Sequence, residues 1–495
     1  MTAGRGSGHA RVVITNWRDR KHPDAGGAEE VCEQLARNFV GRGYEVVLLT
    51  SSVAGERSRE VVDGYSIVRR GGRFTVYPWA LAWLLWNRGR VDGIIDSQNG
   101  IPFFTPLAVR SKTPVLMLIH HVHQDQFALY FSPLAAKVGR WLERRGARLV
   151  YRNRSIVLVS PSTRHGARRR LGLKGEMLVV PPGSESPVLP LPGHQVRADH
   201  PRIVCVGRLS PHKRTASVVG AVAEMLDDFP DLELHLVGEG PDRPALERMT
   251  ADLGLVGHVT IHGALAPSER DALLRTAWLS VNASEGEGWG LTVIEANRLG
   301  VPVLAYRRPG LKDSIRHGET GWLVEEDRPL APAVSAALHA MADRSEAEAM
   351  GTRARQWSSQ FTWDEMATRV LTMLRAEAGR LAHSPDERRT FTDLATVVRI
   401  PVDLLPEGEV PTFRSTDRCM VSDGELVVLL RGADTQTARI ALRRAGFSSA
   451  AIDDERVQIA VARPVDLVSP AVSAAVSGAP RAVTAAGRRE DALAG

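Results

Sequence analysis

Cysteine is scarce in this chain: Cys32, Cys205 and Cys419 are the only three in 495 residues. Their odd number and wide spacing exclude a disulfide framework and predict a reduced, cytoplasmic protein. Long apolar runs are missing too. None reaches the roughly 18 residues needed to span a bilayer, and the amino-terminal MTAGRGSGHARVVIT lacks the apolar core that marks a chain for export. Acidic residues are short over positions 1–200, which carry 29 Lys+Arg against 16 Asp+Glu although the net charge of the whole is only +6. No recognition motif accompanies this basic excess, so nucleic acid is not an expected partner. A solvated basic surface and attraction to an anionic membrane or acceptor both stay open.

What is present is a long α/β rhythm. A chain of 495 residues predicts more than one domain, because single cores stop growing at about 250–300 residues. From Arg11 onward, the runs RVVIT, YEVVLLTS, VDGIID, PVLMLIHH and SIVLVSPS each end in polar or turn residues and alternate with amphipathic segments. Such repetition requires a parallel sheet covered on both faces. ESPVLPLPGHQVRADHP reads as a linker, and a second series follows with RIVCVGR, LELHLVG, VTIHGAL, LSVNAS and VPVLAY. The expected divisions are 1–190, 191–360, a returning helix at 361–383, a small appended α/β module at 384–468 and a disordered tail at 469–495. Trp79, Trp83 and Trp86, at i, i+4 and i+7, predict one helical face packed on the first sheet, with an interfacial surface as the alternative.

The most informative stretch is EGEGWGLTVIEA, residues 285–296. It follows an apolar strand and opens a helix, which places it at the carboxyl edge of a parallel sheet, where open α/β folds bind ligands. Gly286, Gly288 and Gly290 let the backbone pass close to a ligand, and the first N–H groups of the new helix can receive phosphate. The carboxylates of Glu287 and Glu295 suit sugar hydroxyls. A second loop, in VCVGRLSPHKRTASVV, sets Arg208 and Lys213 just beyond another strand. Two cations at a sheet edge suit a phosphate group, and no Asp-x-Asp metal motif accompanies them. In the first half, DAGGAEE puts Gly26 and Gly27 at a helix N-terminus. LMLIHHVHQDQF sets His120, His121 and His123 at a strand end, and no Cys or paired-carboxylate motif completes a metal site there. Gly238 and Gly240 of LVGEGP, with His262 and Gly263 of TIHGAL, end two further strands where a nucleotide base has room to approach. GEGP lacks the rest of a dinucleotide fingerprint, so NAD is not expected.

From NWRDRKHPDAGGAEE to GETGWLV these segments resemble the retaining glycosyltransferases of the family 4 type; residues after about 384 fall outside the likeness. The resemblance implies the α/β GT-B fold: two Rossmann-like domains facing a cleft, here with a small appended C-terminal α/β segment. It implies transfer of a hexosyl unit from a UDP- or GDP-sugar to an acceptor hydroxyl on a lipid, sugar or natural product, with retention and with neither metal nor cofactor. By the same likeness, Glu287 binds donor-sugar hydroxyls and Glu295 the ribose. Backbone N–H groups of Trp289, Gly290 and Leu291 hold phosphate and sugar, and Arg208 and Lys213 the diphosphate. Gly26 and Gly27 reach over the cleft. His120 is the strand-end histidine near the reacting centre, with His121 and His123 as competing choices. The sequence departs from the family at LVVPPGSES, where Pro182 precedes Gly183 and many relatives have Asn-Gly. The rival readings are a nucleotide-sugar 2-epimerase and a membrane-peripheral binding protein with a degenerate site. Intact Arg208, Lys213, Glu287 and Glu295 argue against the second. The corresponding expectation for location is cytoplasmic, with peripheral contact at the inner face of the membrane.

Overall fold

The computed structural model describes residues 9–184, 197–382 and, with short breaks, 395–462. The expected linker lies mostly outside these residues, and the expected tail wholly so. The chain divides into two compact units, 1–382 and 383–495.

The first half of the larger unit is an eight-stranded sheet. Its strands are β1 (Arg11–Thr15), β2 (Glu45–Thr50), β3 (Arg59–Val62), β4 (Tyr65–Arg69), β5 (Gly93–Gln98), β6 (Val115–Ile119), β7 (Ser155–Leu158) and β8 (Met177–Val179). Their order is β3-β4-β2-β1-β5-β6-β7-β8, and every pairing is parallel except the β3–β4 hairpin. The second half is an all-parallel sheet of β9 (Arg202–Val206), β10 (Glu233–Val237), β11 (Val259–Gly263), β12 (Leu279–Asn282), β13 (Val303–Tyr306) and β14 (Gly321–Val324), ordered β11-β10-β9-β12-β13-β14. The apolar runs explain this choice. A strand covered on both faces buries every side chain, as Val12, Val13 and Ile14 of β1 and Leu279 and Val281 of β12 do. In both sheets the winding reverses next to the first strand, between β1 and β5 and between β9 and β12. A crevice opens at the carboxyl ends of such reversal points. This is the expected pair of Rossmann-like domains.

The helix Trp363–Ala382 returns to the first half. Arg42 reaches Asp364 at 2.6 Å, Arg375 bonds the Tyr44 hydroxyl at 2.9 Å, and Ser155 donates to the buried Glu377 at 2.9 Å. The Pro182–Gly183 departure has its place here. Ser184 N donates to Phe361 O at 3.1 Å, and a Cβ on Gly183 would overlap the Thr362 backbone, so this loop packs on the start of the returning helix.

The tryptophan face needs correction. In helix Val76–Asn87 the buried residues are Val76, Ala80 and Leu84; Trp79 and Trp83 are half-buried against the first core, while Trp86 is 95% exposed. The segment VYPWALAWLLWN is apolar on all sides, so the spacing of its largest residues does not say which side faces inward.

The smaller unit is an antiparallel sheet of β15 (Ala395–Pro401), β16 (Arg418–Ser422), β17 (Glu425–Arg431) and β18 (Gln458–Ala462), ordered β16-β17-β15-β18. Helix Thr435–Arg444 contributes Ala438 and Leu442 to a core with Val398, Ile400, Leu426, Val428 and Leu430. The sequence predicts β17, the helix and β18, but not β15 or β16.

Candidate active site

The site is assembled at the β9/β12 reversal. Beyond β9, Gly207–Leu209 is laced to the loop after β10: Leu209 N donates to Glu239 O at 2.9 Å and Asp242 N to Leu209 O at 3.0 Å. A Cβ on Gly238 would overlap the Gly207 carbonyl, and one on Gly240 the Leu209 carbonyl. These glycines therefore admit the neighbouring backbone, and by doing so they fix the loop that carries Arg208. Gly263, at φ +76, accepts from Gly238 N at 2.8 Å and belongs to the same lacing. His262 stands apart from the two cations: its ring stacks on His235 at 5.1 Å, with 2.9 Å between nitrogens, and His235 reaches Glu233 at 3.1 Å.

Lys213 ends a short 3-10 turn, and its ammonium lies 2.5 Å from Glu287 Oε1. Ser284 Oγ donates to the same oxygen at 2.9 Å. Burial acts to raise the Glu287 pKa; the Lys213 charge and hydrogen bond, with Ser284, outweigh it and hold the carboxyl below its ordinary value. Arg208 reaches across to the first domain, donating to Asp24 O at 3.3 Å beside the exposed Gly26 and Gly27. There Glu29 caps the helix by accepting from Gly26 N at 2.7 Å, while the buried Arg18 holds its other oxygen at 3.2 Å.

The turn Gly286–Gly290 is pressed against the end of β6. A Cβ on Gly288 would overlap the His120 carbonyl, and Thr163 Oγ1 donates to Gly288 O at 3.3 Å. Gly290, at φ +91, starts helix Leu291–Arg298, and Leu291 meets Gly27 across the cleft. The Trp289 indole is 2% exposed and packs edge-on against Phe361, so only the backbone of this residue is available to the cleft. The histidines separate. His120 is buried with Nε2 2.8 Å from Ser97 Oγ, whereas His121 lies beside Gly286 and Glu287. Burial, helped by His123, lowers both to about 3, so both rings are neutral at pH 7. His123 is tied to the loop itself, its N–H donating to Glu143 at 2.7 Å.

Glu295 does not touch the Lys213–Glu287 pair. It bonds Arg270 at 3.1 Å, and burial raises its pKa against the opposing pull of Arg270 and Arg298. Arg270, Ser284 and Asp24 are site neighbours that sequence reasoning does not single out. His212 is another, one position before Lys213; it bonds the Tyr130 hydroxyl at 2.9 Å across the cleft.

Comparison with known proteins adds to this geometry. The family profile described as Glycosyltransferase Family 4 matches residues 25–185, and that described as Glycosyl transferases group 1 matches 192–357. The chain is 29% identical over 239 residues to a GDP-mannose-dependent alpha-(1-6)-phosphatidylinositol monomannoside mannosyltransferase of Mycobacterium tuberculosis, covering 45% of this chain and 62% of that protein. The protein of the same name from Mycolicibacterium smegmatis is 28% identical over 382 residues, covering 70% of this chain and 87% of the relative. Among solved structures, sucrose-phosphate synthase from Thermosynechococcus elongatus superposes with a TM-score of 0.61 at 20% identity, covering 74% of this chain and 98% of that one. With both halves of the larger unit matched, and with two Rossmann-like sheets meeting at a cleft, the chain belongs to the GT-B glycosyltransferases of the family 4 type.

Proposed function

We propose that this protein transfers a hexosyl unit from a nucleoside-diphosphate sugar to an acceptor hydroxyl, with retention of anomeric configuration and without a metal. The observation that carries the reading is the convergence of Arg208, Lys213 and Glu287 at the β9/β12 reversal, opposite the Gly26–Gly27 helix start. The leaving diphosphate is met by Arg208, Lys213 and the free N–H groups after Gly290, which are fixed before the reaction and aimed at charge that develops during it. Glu287, held ionised by Lys213, accepts from donor-sugar hydroxyls. His120 and His121, being neutral, serve as hydrogen-bonding groups at pH 7 and not as cations. Retention then follows from attack on the same face as the departing phosphate, which takes the acceptor proton.

The relatives' GDP-mannose and phosphatidylinositol monomannoside favour a GDP-sugar donor and a phosphate-bearing polyol lipid as acceptor. The first domain supports lipid access. Along residues 133–150, Leu134, Val138, Trp141 and Leu149 are exposed beside Lys137, Arg144, Arg145 and Arg148, a combination suited to an anionic bilayer surface. No described helix is long and apolar enough to cross a membrane.

The test is thermal stabilisation by GDP, UDP and their sugars, followed by NMR of the product. Saturation at 100 times Kd adds about 2.7 kcal/mol. An inverted anomeric product, or no response to any nucleotide, refutes the reading.

A further inference from the structure

At the mouth of the cleft, the first domain carries a cluster that the donor site does not use. Arg73 lies on the loop after β4 and is exposed. Its guanidinium carbon is 4.4 Å from the ring centre of Phe131, 5.7 Å from that of Trp17 and 5.8 Å from that of Phe74. Trp17 also takes the Arg18 guanidinium at 4.2 Å. The cations here differ in their partners. Arg18 is paired with Glu29 and Arg208 with Asp24, whereas among the described residues no carboxylate pairs with Arg73.

Two links join this cluster to the transfer site. Arg18 stands close enough to Arg208 for the two charges to oppose each other. Tyr130, adjacent to Phe131, bonds His212, adjacent to Lys213. Aromatic faces orient a guanidinium while leaving its N–H edge free, and that edge matches an oxyanion in a two-point contact. The rings offer a second surface. Phe74 is 64% exposed and Trp17 half-buried, so a polyol or sugar ring has apolar faces to lie on.

We propose that Arg73, on the shelf formed by Trp17, Phe74 and Phe131, is the acceptor's anion subsite and recognises a phosphate ester carried by a polyol. The assignment rests on the glycosyl-transfer reading above and adds the residues on this side of the cleft that recognise the acceptor's phosphate. A hydrogen-bonded charge at a partly exposed site contributes about tenfold in affinity. The full chain, with and without saturating GDP or UDP, is titrated calorimetrically with myo-inositol 1-phosphate, myo-inositol and inorganic phosphate. The expected result is that inositol 1-phosphate binds at least about tenfold tighter than inositol, and tighter than inorganic phosphate. Arg73→Gln removes that preference, Arg73→Lys restores part of it, and neither changes nucleotide affinity. Equal binding of inositol and its phosphate by the natural chain, or an undiminished preference in Arg73→Gln, overturns the subsite. Inorganic phosphate binding as tightly as the ester overturns it as an acceptor site. Failure to bind any nucleotide sinks the donor reading instead, and the titration without nucleotide still reports on Arg73.

Discussion

Lys213 holds Glu287 ionised in a partly buried place and, in the proposed reaction, also faces the departing diphosphate. Arg208→Ala and Lys213→Ala should each reduce turnover by about 10²- to 10³-fold, the size typical of losing one preorganised charge-stabilising group, while EDTA leaves the rate unchanged. Activity abolished by chelation and restored by Mn²⁺ would overturn the metal-free assignment. The acid side of the pair gives an independent readout. Because the folded pKa of Glu287 is lowered, its contribution to stability is complete above the unfolded value of about 4.3 and is lost as pH falls through the lower folded value. Denaturant midpoints of the natural chain and Glu287→Gln should therefore differ most near neutrality and converge on acidification. A gap that widens toward low pH would show that burial, not Lys213, controls the carboxyl. For the second carboxylate, Glu295→Gln should weaken binding of free nucleotide, whereas Glu287→Gln should spare it and lose transfer; equal losses in both variants would contradict the division of roles.

Among the elements, what could be read from sequence depended on whether the signal was local. Strand ends, the glycine turn at 285–290 and the cations after β9 are local: an apolar run followed by Gly and a helix start already says where the sheet edge lies. The lacing of loops is not local. Nothing in LVGEGP announces that Gly238 gives its space to the Gly207 carbonyl from a strand some thirty residues earlier, so an open approach for a base was the natural reading. The Trp289 indole, turned into a core with Phe361 and Trp357, was likewise invisible, because its partners come from the far end of the domain. Strand β15 gives a weak signal because ATVVRIP ends in Pro, and β16 because RCMVS is short and has polar ends. The lacing has a measurable consequence. Gly238→Ala adds a Cβ at φ +141 against a backbone carbonyl, a position that L residues avoid. It should lower stability by at least about 1 kcal/mol and, by displacing Arg208, cut turnover more than nucleotide-free folding would suggest. Thermal melts with and without GDP separate the two effects; an unchanged GDP-induced shift would show that the loop tolerates the methyl and Arg208 stays in place.

For the larger unit as a whole, the returning helix Trp363–Ala382 ties the first domain to the second, while the basic and apolar surface of residues 133–150 lies on the first domain. That separation predicts that membrane contact, if the acceptor is a lipid, acts through residues 133–150 and leaves nucleotide binding untouched. Each Lys or Arg held near an anionic surface contributes about 1 kcal/mol, and the attraction fades beyond about 8 Å at physiological ionic strength. The protein should therefore sediment with vesicles containing anionic lipid at low salt, release as salt rises, and ignore neutral phosphatidylcholine. Replacing both Arg144 and Arg145 by Glu removes two attractive charges and adds two repulsive ones, so binding should fall by well over about 30-fold. Trp141→Ala should weaken it by a smaller, salt-independent step, because its exposed ring acts by burial of apolar area. Thermal stabilisation by nucleotide should be the same in all three proteins. If the natural chain ignores anionic vesicles at low salt, the basic surface is simply solvated and a water-soluble polyol phosphate becomes the better acceptor. If Arg144→Glu/Arg145→Glu binds undiminished, the contact lies elsewhere, and the exposed Trp86 of helix Val76–Asn87 is the next position to vary.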